Sequence, residues 1–82
     1  MKRIRFQPNV PAEVRAIDQR TAMSILETVH RYVATGVGDV KPLSGQLAGL
    51  LRLRAGNHRV LFDETADSIV IHRVAHRRDV YR

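Results

Sequence analysis

At 82 residues with no cysteine, and with 14 Lys/Arg against 8 Asp/Glu for a net charge of +6, the chain is one small domain, residues 1–82, that no disulfide or thiolate–metal site can staple. Twelve of the cations are Arg, whose planar fork pairs bidentately with phosphate, so the composition favours a polyanionic partner. No apolar run approaches the length of a membrane span, and MKRIRFQPNVPAE lacks the apolar segment of a signal peptide, so no membrane association and a cytoplasmic location are expected.

The elements follow in chain order. KRIRFQ alternates polar and apolar residues and predicts a short strand with Ile4 and Phe6 on one face. PNVP ends it, because prolines cannot serve a ladder. Pro11 suits the first turn of a short helix capped near Asn9 or Val10, with Val14 and Ile17 on its apolar side. Asp18 caps a second helix, in which Ala22, Ile25, Leu26, Val29 and Val33 recur at helical spacing. Gly36 and Gly38 end it in left-handed conformations. VGDVKPLSGQLAG is expected to be loop. LLRLRA, HRVLFDE and IVIHRVA then read as three strands joined by the tight turns AGN and TADS, and the last, being the most apolar, is expected to be central. The predicted fold is α+β: an N-terminal strand, a two-helix hairpin and an antiparallel three-strand meander, giving a four-stranded sheet with the helices on one face.

Side-chain alternation puts Arg52, Arg54 and Arg59 on the sheet face away from the helices, and the short AGN turn brings Arg52 or Arg54 beside Arg59. Like charges set opposite each other cost stability. A single exposed strand arginine needs no explanation, but three converging with only Asp63 and Asp79 close in sequence to compensate point to an anion site. The chain closes on HRVAHRRDVYR, where His76, Arg77, Arg78, Tyr81 and Arg82 crowd together. His72 and His76 have i, i+4 spacing, which chelates a metal on a helix; on an extended strand they stand about 13 Å apart, so no metal site is expected. His30 and His72 are read as structural. His76, at a strand end among arginines, is the candidate titrating group, and Tyr81 the candidate for stacking on a base or giving a proton.

KPLSGQLAGLLRLRAGNHRVLFD followed by IVIHRVAHRRDVYR resembles the RelE/ParE toxin superfamily of bacterial type II toxin–antitoxin systems, and the RelE branch more closely. The resemblance rests on the Leu43–Gly45–Gly49 run, on Arg52, Arg54, Gly56 and Arg59, and on the closing HRRDVY, and covers nearly the whole chain. It implies a RelE-like fold and a toxin that cuts mRNA in the ribosomal A site, without metal or other cofactor, to inhibit translation. It also implies neutralisation by a cognate antitoxin, expected to present an acidic, amphipathic segment, with operator DNA reached only through that antitoxin. The family's catalytic arginine falls on Arg59, its late-strand arginine on Arg77 and its C-terminal tyrosine on Tyr81; a basic position on the preceding strand falls on Arg52. The chain departs from the pattern at Leu50, where ribosome-dependent members can carry a lysine, and at Leu51 and His58, where aromatics are common.

The chemistry so implied uses the RNA's own 2′-hydroxyl as nucleophile. It needs a base, charge stabilisation on the phosphorane, and an acid for the 5′-oxygen. Arg59 and Arg77 are assigned to the phosphorane, Arg52 to holding the backbone, His76 to the base, and Tyr81 to the acid or to base stacking. Arg54, Arg73, Arg78 and Arg82 supply further contacts to RNA or ribosome. Two other readings share the fold: a ParE-like gyrase poison, and an inactive member that binds only its antitoxin and operator.

Overall fold

The structure, a computed structural model, describes residues 2–82. Its elements are β1 (Arg3–Phe6), α1 (Val10–Arg15), α2 (Gln19–Thr35), β2 (Val40–Pro42), a single 3₁₀ turn (Gly45–Leu47), β3 (Leu51–Ala55), β4 (His58–Glu64) and β5 (Ser68–His76). The strands form one sheet in the order β1-β5-β4-β3-β2. The meander β3-β4-β5 is antiparallel and β1 runs parallel to β5, while the two helices carry the chain from β1 at one edge of the sheet to β2 at the other.

Two expectations are corrected. The sheet has five strands, not four, because Val40–Pro42 pairs with β3 in the segment expected to be loop. Three residues, one charged and one a proline, carry no alternation to detect; the position is a sheet edge, where proline is tolerated. The middle strand is β4, with β5 one place nearer β1. Being buried on both faces, as at Leu61 and Phe62, marks the centre better than β5's apolar content does.

The helices form where the chain provides ends for them. The Asp18 side chain accepts from the Thr21 amide, so the predicted cap is present, and Gly36 closes α2 at φ 77°. Gly38 has a different reason to be glycine. Its φ is not positive, but an added Cβ would lie 2.9 Å from Leu53 Cδ1. Ala22, Ile25 and Val29 of α2 are buried, and Ile25 and Val29 pack on Leu53, Val60, Phe62 and Ile71.

Tyr32 extends that stripe, unpredicted. Its ring meets Phe62 edge-on at 5.6 Å, and its hydroxyl donates to Glu64 at 2.6 Å. Glu64 is also paired with Lys2. Burial first, then the bond to Glu64, push the Tyr32 phenol up to about 12. Lys2 first, then Tyr32, hold the Glu64 carboxyl below its ordinary value. A raised phenol contributes stability that is whole below about pH 10 and is lost as pH rises through the folded value; a depressed carboxyl contributes above about pH 4.5 and is lost as pH falls. In Tyr81→Phe, where Tyr32 is the remaining tyrosine, phenolate absorbance should therefore stay flat through pH 10. Half-ionisation near pH 10 in the folded protein would show that Tyr32 is neither buried nor bonded to Glu64 as described.

Candidate functional site

Strand register builds the arginine face. Arg54 stands directly opposite Arg59, and Arg52 opposite Leu61, across β3 and β4. Leu53, Val60 and Val74 point into the core beneath the helices, so Arg52, Arg54, Arg59, Leu61 and Arg73 take the other side. The turn is two residues, Gly56 and Asn57, with positive φ at Gly56 alone, the pattern of a type II′ hairpin with glycine first. The Arg77 amide donates to the Asn57 carbonyl at 2.8 Å, which starts the C-terminal tail over that turn and beside Arg59.

Arg73 reaches this face through a bulge that sequence reasoning missed. Leu61 pairs with Arg73 but Phe62 pairs with Ile71, so His72 has no cross-strand partner. The extra residue reverses the alternation. Ile71 and Val74 both enter the core, and Arg73 between them turns away. The 69, 71, 74 spacing of the apolar residues is the trace this leaves in the sequence. His72 itself bonds Asp63 at 2.5 Å, which takes Asp63 away from the arginines it was expected to compensate.

The compensation comes from Asp39 instead, just before β2. Its carboxylate lies 2.9 Å from Arg52 and 4.0 Å from Arg54. Arg59 has no acid partner among the described residues. One of its terminal nitrogens donates to the Gly56 and His58 carbonyls, each at 2.9 Å, which fixes the side chain across the turn. Burial first, then the like charges of Arg54 and Arg52, push the Arg59 guanidinium below its ordinary value, with Arg77 adding in the same sense and Tyr81 opposing. Arg52, Arg54, Arg77 and Tyr81 are thus all electrostatic neighbours of Arg59.

The tail covers part of the face that was expected to be open. Val80 and Leu61 are each 2% exposed, outside the main core. Arg73 donates to the Asp79 carbonyl at 3.0 Å and the Arg82 carbonyl at 3.2 Å. Ordering each tail residue costs about 1–2 kcal/mol, and burying one valine returns only about 1.5–3 kcal/mol. Two bonds from a charged donor, at about 1.5–3 kcal/mol each, supply what burial leaves short. Arg73 is therefore a clamp on the tail that carries Tyr81. In Arg73→Ala the Val80 and Arg82 amides, which bond the His76 and Asp79 carbonyls, should exchange with solvent at least about tenfold faster. Unchanged exchange would mean the tail holds itself.

His76 is not brought to this site. It shares the helix side of the sheet with Val74, sits opposite His58 across β4 and β5, and meets that ring edge-on at 5.4 Å. The pair lines a cleft with Glu13, Ile17 and Asp18, behind the sheet from Arg59. Burial first, then His76, lower the His58 imidazole. Arg78, Arg77 and Arg82 are exposed along the tail. No cluster of three or more His, Asp or Glu side chains suited to a metal occurs among the described residues, and no described helix is long and apolar enough to cross a membrane.

No family model matches the chain. A stretch of 44 residues is 46% identical to Toxin RelG of Mycobacterium tuberculosis (strain ATCC 25618 / H37Rv); it takes in 51% of this chain and 51% of that protein, so the match spans about half the length of that relative. Over the whole fold the chain is similar to the toxin–antitoxin complex RelBE2 from Mycobacterium tuberculosis, with a TM-score of 0.76 and 27% identity over 92% of this chain and 96% of that one. The RelB–RelE antitoxin–toxin complex from Methanococcus jannaschii is similar in fold, with a TM-score of 0.73 and 20% identity over 94% of both chains.

Proposed function

We propose that the chain is a member of the RelE toxin superfamily and the toxin of a type II toxin–antitoxin pair that cleaves mRNA on the ribosome, a reading supported by its likeness to Toxin RelG over about half its length and to the RelBE2 complex over the whole fold. The observation that carries this is Arg59, surrounded by Arg54, Arg52, Arg77 and Tyr81 and without an acid of its own. A face of like charges held together at a cost to stability suits a phosphorane more than it suits packing.

The residues divide the work by position. Arg59 is fixed by the turn carbonyls through one nitrogen, which leaves the rest of its fork for the phosphate. Arg77 lies at the tail's origin above the same turn and shares the developing charge. Arg52, paired with Asp39, holds the RNA backbone further along the face. The 2′-oxygen attacks phosphorus, the bond to the 5′-oxygen breaks, and a 2′,3′-cyclic phosphate and a 5′-hydroxyl result. Tyr81 is the one proton-carrying group in this set that is not an arginine, and gives its proton to the departing 5′-oxygen, while the proton of the attacking 2′-hydroxyl passes to water. His76, on the opposite side of the sheet, has no place in the step. The ribosome aligns the 2′-oxygen, phosphorus and leaving oxygen, a contribution that so small a site cannot make alone.

Primer extension on mRNA bound to programmed ribosomes, run beside a gyrase supercoiling assay, tests the proposal. Cuts that need the ribosome, with supercoiling untouched, support it; inhibited gyrase with intact mRNA would replace it with the gyrase-poison reading. Because guanidinium groups carry the charge, cleavage should also persist in a zinc-selective chelator that leaves ribosomal magnesium in place. Loss of cleavage restored by added zinc would contradict the assignment.

A further inference from the structure

We infer that the imidazole of His76 caps the C-terminal tail and makes its order depend on a proton: the neutral ring holds residues 77–82 in place, and the imidazolium releases them. This rests on the RNA-cleaving reading above, to which it adds a positioning residue on the far side of the sheet.

Residues 77–81 turn back directly after β5, and such a turn leaves its first amides without partners of their own. His76 takes three of them. Its carbonyl accepts from the Asp79 amide at 2.8 Å and from the Val80 amide at 3.0 Å. Its Nδ1 accepts from the Arg78 amide at 3.2 Å. The Arg77 amide goes to the Asn57 carbonyl, so each amide from Arg77 to Val80 is tied at the tail's origin. Serine, threonine, asparagine and aspartate cap helical turns through a side-chain acceptor in the same way. None of those four changes charge between pH 5 and 8, whereas an imidazole does. A backbone amide can only donate, so Nδ1 carries a lone pair and the neutral ring keeps its proton on Nε2. A second proton fills Nδ1, sets one N–H against another and removes the bond. The tail is therefore fully ordered at high pH and loses order as pH falls.

Nothing around the ring replaces that bond. His58 of β4 meets it edge-on at 5.4 Å. Glu13 of α1, Asp18 at the cap of α2 and Arg20 of α2 line the clefts on either side of the two rings. Both carboxylates are engaged with amides, Glu13 with those of Asn9 and Val74, and Asp18 with that of Thr21. Burial first, then His76, hold the His58 imidazole below its ordinary value, so the pair resists carrying two charges. Arg20, Arg77 and Arg78 add only positive charge nearby. The consequence reaches the arginine face through the backbone. The tail carries Arg77 and Tyr81, both electrostatic neighbours of Arg59. Arg73 grips its far end, at the Asp79 and Arg82 carbonyls, and His76 grips its near end.

The test compares the full chain, isotope-labelled and free of ribosomes, with His76→Asn, His76→Ala and His58→Gln at pH 8 and pH 5, either side of the imidazole range. At pH 8 the nitrogen shifts of the His76 ring should show a bare Nδ1 and a protonated Nε2. In the wild type, protection of the Arg78 and Val80 amides should fall about fivefold at pH 5, the loss of a typical cap. His76→Ala should show the lower protection at both pH values. His76→Asn presents an amide oxygen that does not titrate, and should keep the higher protection at both. His58→Gln should respond as the wild type does. On programmed ribosomes near pH 8, His76→Asn should cut as fast as the wild type and His76→Ala about fivefold more slowly. Wild-type protection indifferent to pH would overturn the inference. So would a response that persists in His76→Asn or vanishes in His58→Gln. Protection that follows His76 in a chain that cuts no mRNA keeps the cap and removes the nuclease. Cleavage by His76→Ala at the wild-type rate, with its tail still protected, removes the cap and keeps the nuclease.

Discussion

Arg59→Ala should lower ribosome-dependent cleavage by about 10²–10³-fold, the usual cost of removing one preorganised donor from a developing negative charge. The variant should stay folded. Arg59 gives two hydrogen bonds to turn carbonyls, and losing them at a partly exposed turn costs on the order of 1–2 kcal/mol. Removing one member of the Arg54–Arg59 cross-strand pair returns about 0.2–1 kcal/mol of like-charge repulsion. The net change is small against the ~5–15 kcal/mol that holds a domain together. Arg59→Lys separates charge from geometry, because an ammonium keeps the charge but cannot span the turn carbonyls and the phosphate together. Single-turnover cleavage on programmed ribosomes, with melting temperatures for all three proteins, decides the matter. An Arg59→Ala protein that cuts at the wild-type rate would remove Arg59 from the chemistry.

The parts of this site that were legible in the sequence are those set by simple alternation. Arg52, Arg54 and Arg59 could be placed on one face because β3 and β4 keep strict period two around a two-residue turn. Asp18 and Gly36 could be placed because caps have their own residue chemistry. What was hidden depends on tertiary pairing. The bulge at His72 brings Arg73 to the arginine face and takes Asp63 out of play. A chemical expectation for His76, strong from its neighbours in sequence, fails for a geometric reason: adjacent residues on a strand point to opposite faces, and His76 follows Val74 to the helix side. Asp39 and β2 were missed for one cause, since the short edge strand that carries Asp39 to Arg52 has no pattern of its own.

The cognate antitoxin should raise the melting temperature of this chain by on the order of 10–30 °C, since a ligand at 100–1,000 times its Kd stabilises a domain of this size by about 2.7–4.1 kcal/mol. The partner chemistry follows from what the surface leaves unsettled. The net charge is +6, and Arg54 and Arg59 repel each other across the strands, with Asp39 serving Arg52 and Arg54 but not Arg59. Phe6 and Met23 remain exposed apolar groups. An acidic, amphipathic segment answers both, pairing with the arginines and burying apolar surface, and those gains offset the entropy lost when it orders. Neutralisation then takes one of two forms. The segment covers the arginine face, or it displaces the tail that Arg73 clamps and carries Tyr81 away with it. In both, the complex no longer sediments with ribosomes. Amide exchange tells them apart: Val80 and Arg82 become more protected when the face is covered and lose protection when the tail is displaced. A complex that sediments with ribosomes as well as the free chain does would exclude both forms, and a melting temperature unchanged by the partner would show that it does not select the folded toxin.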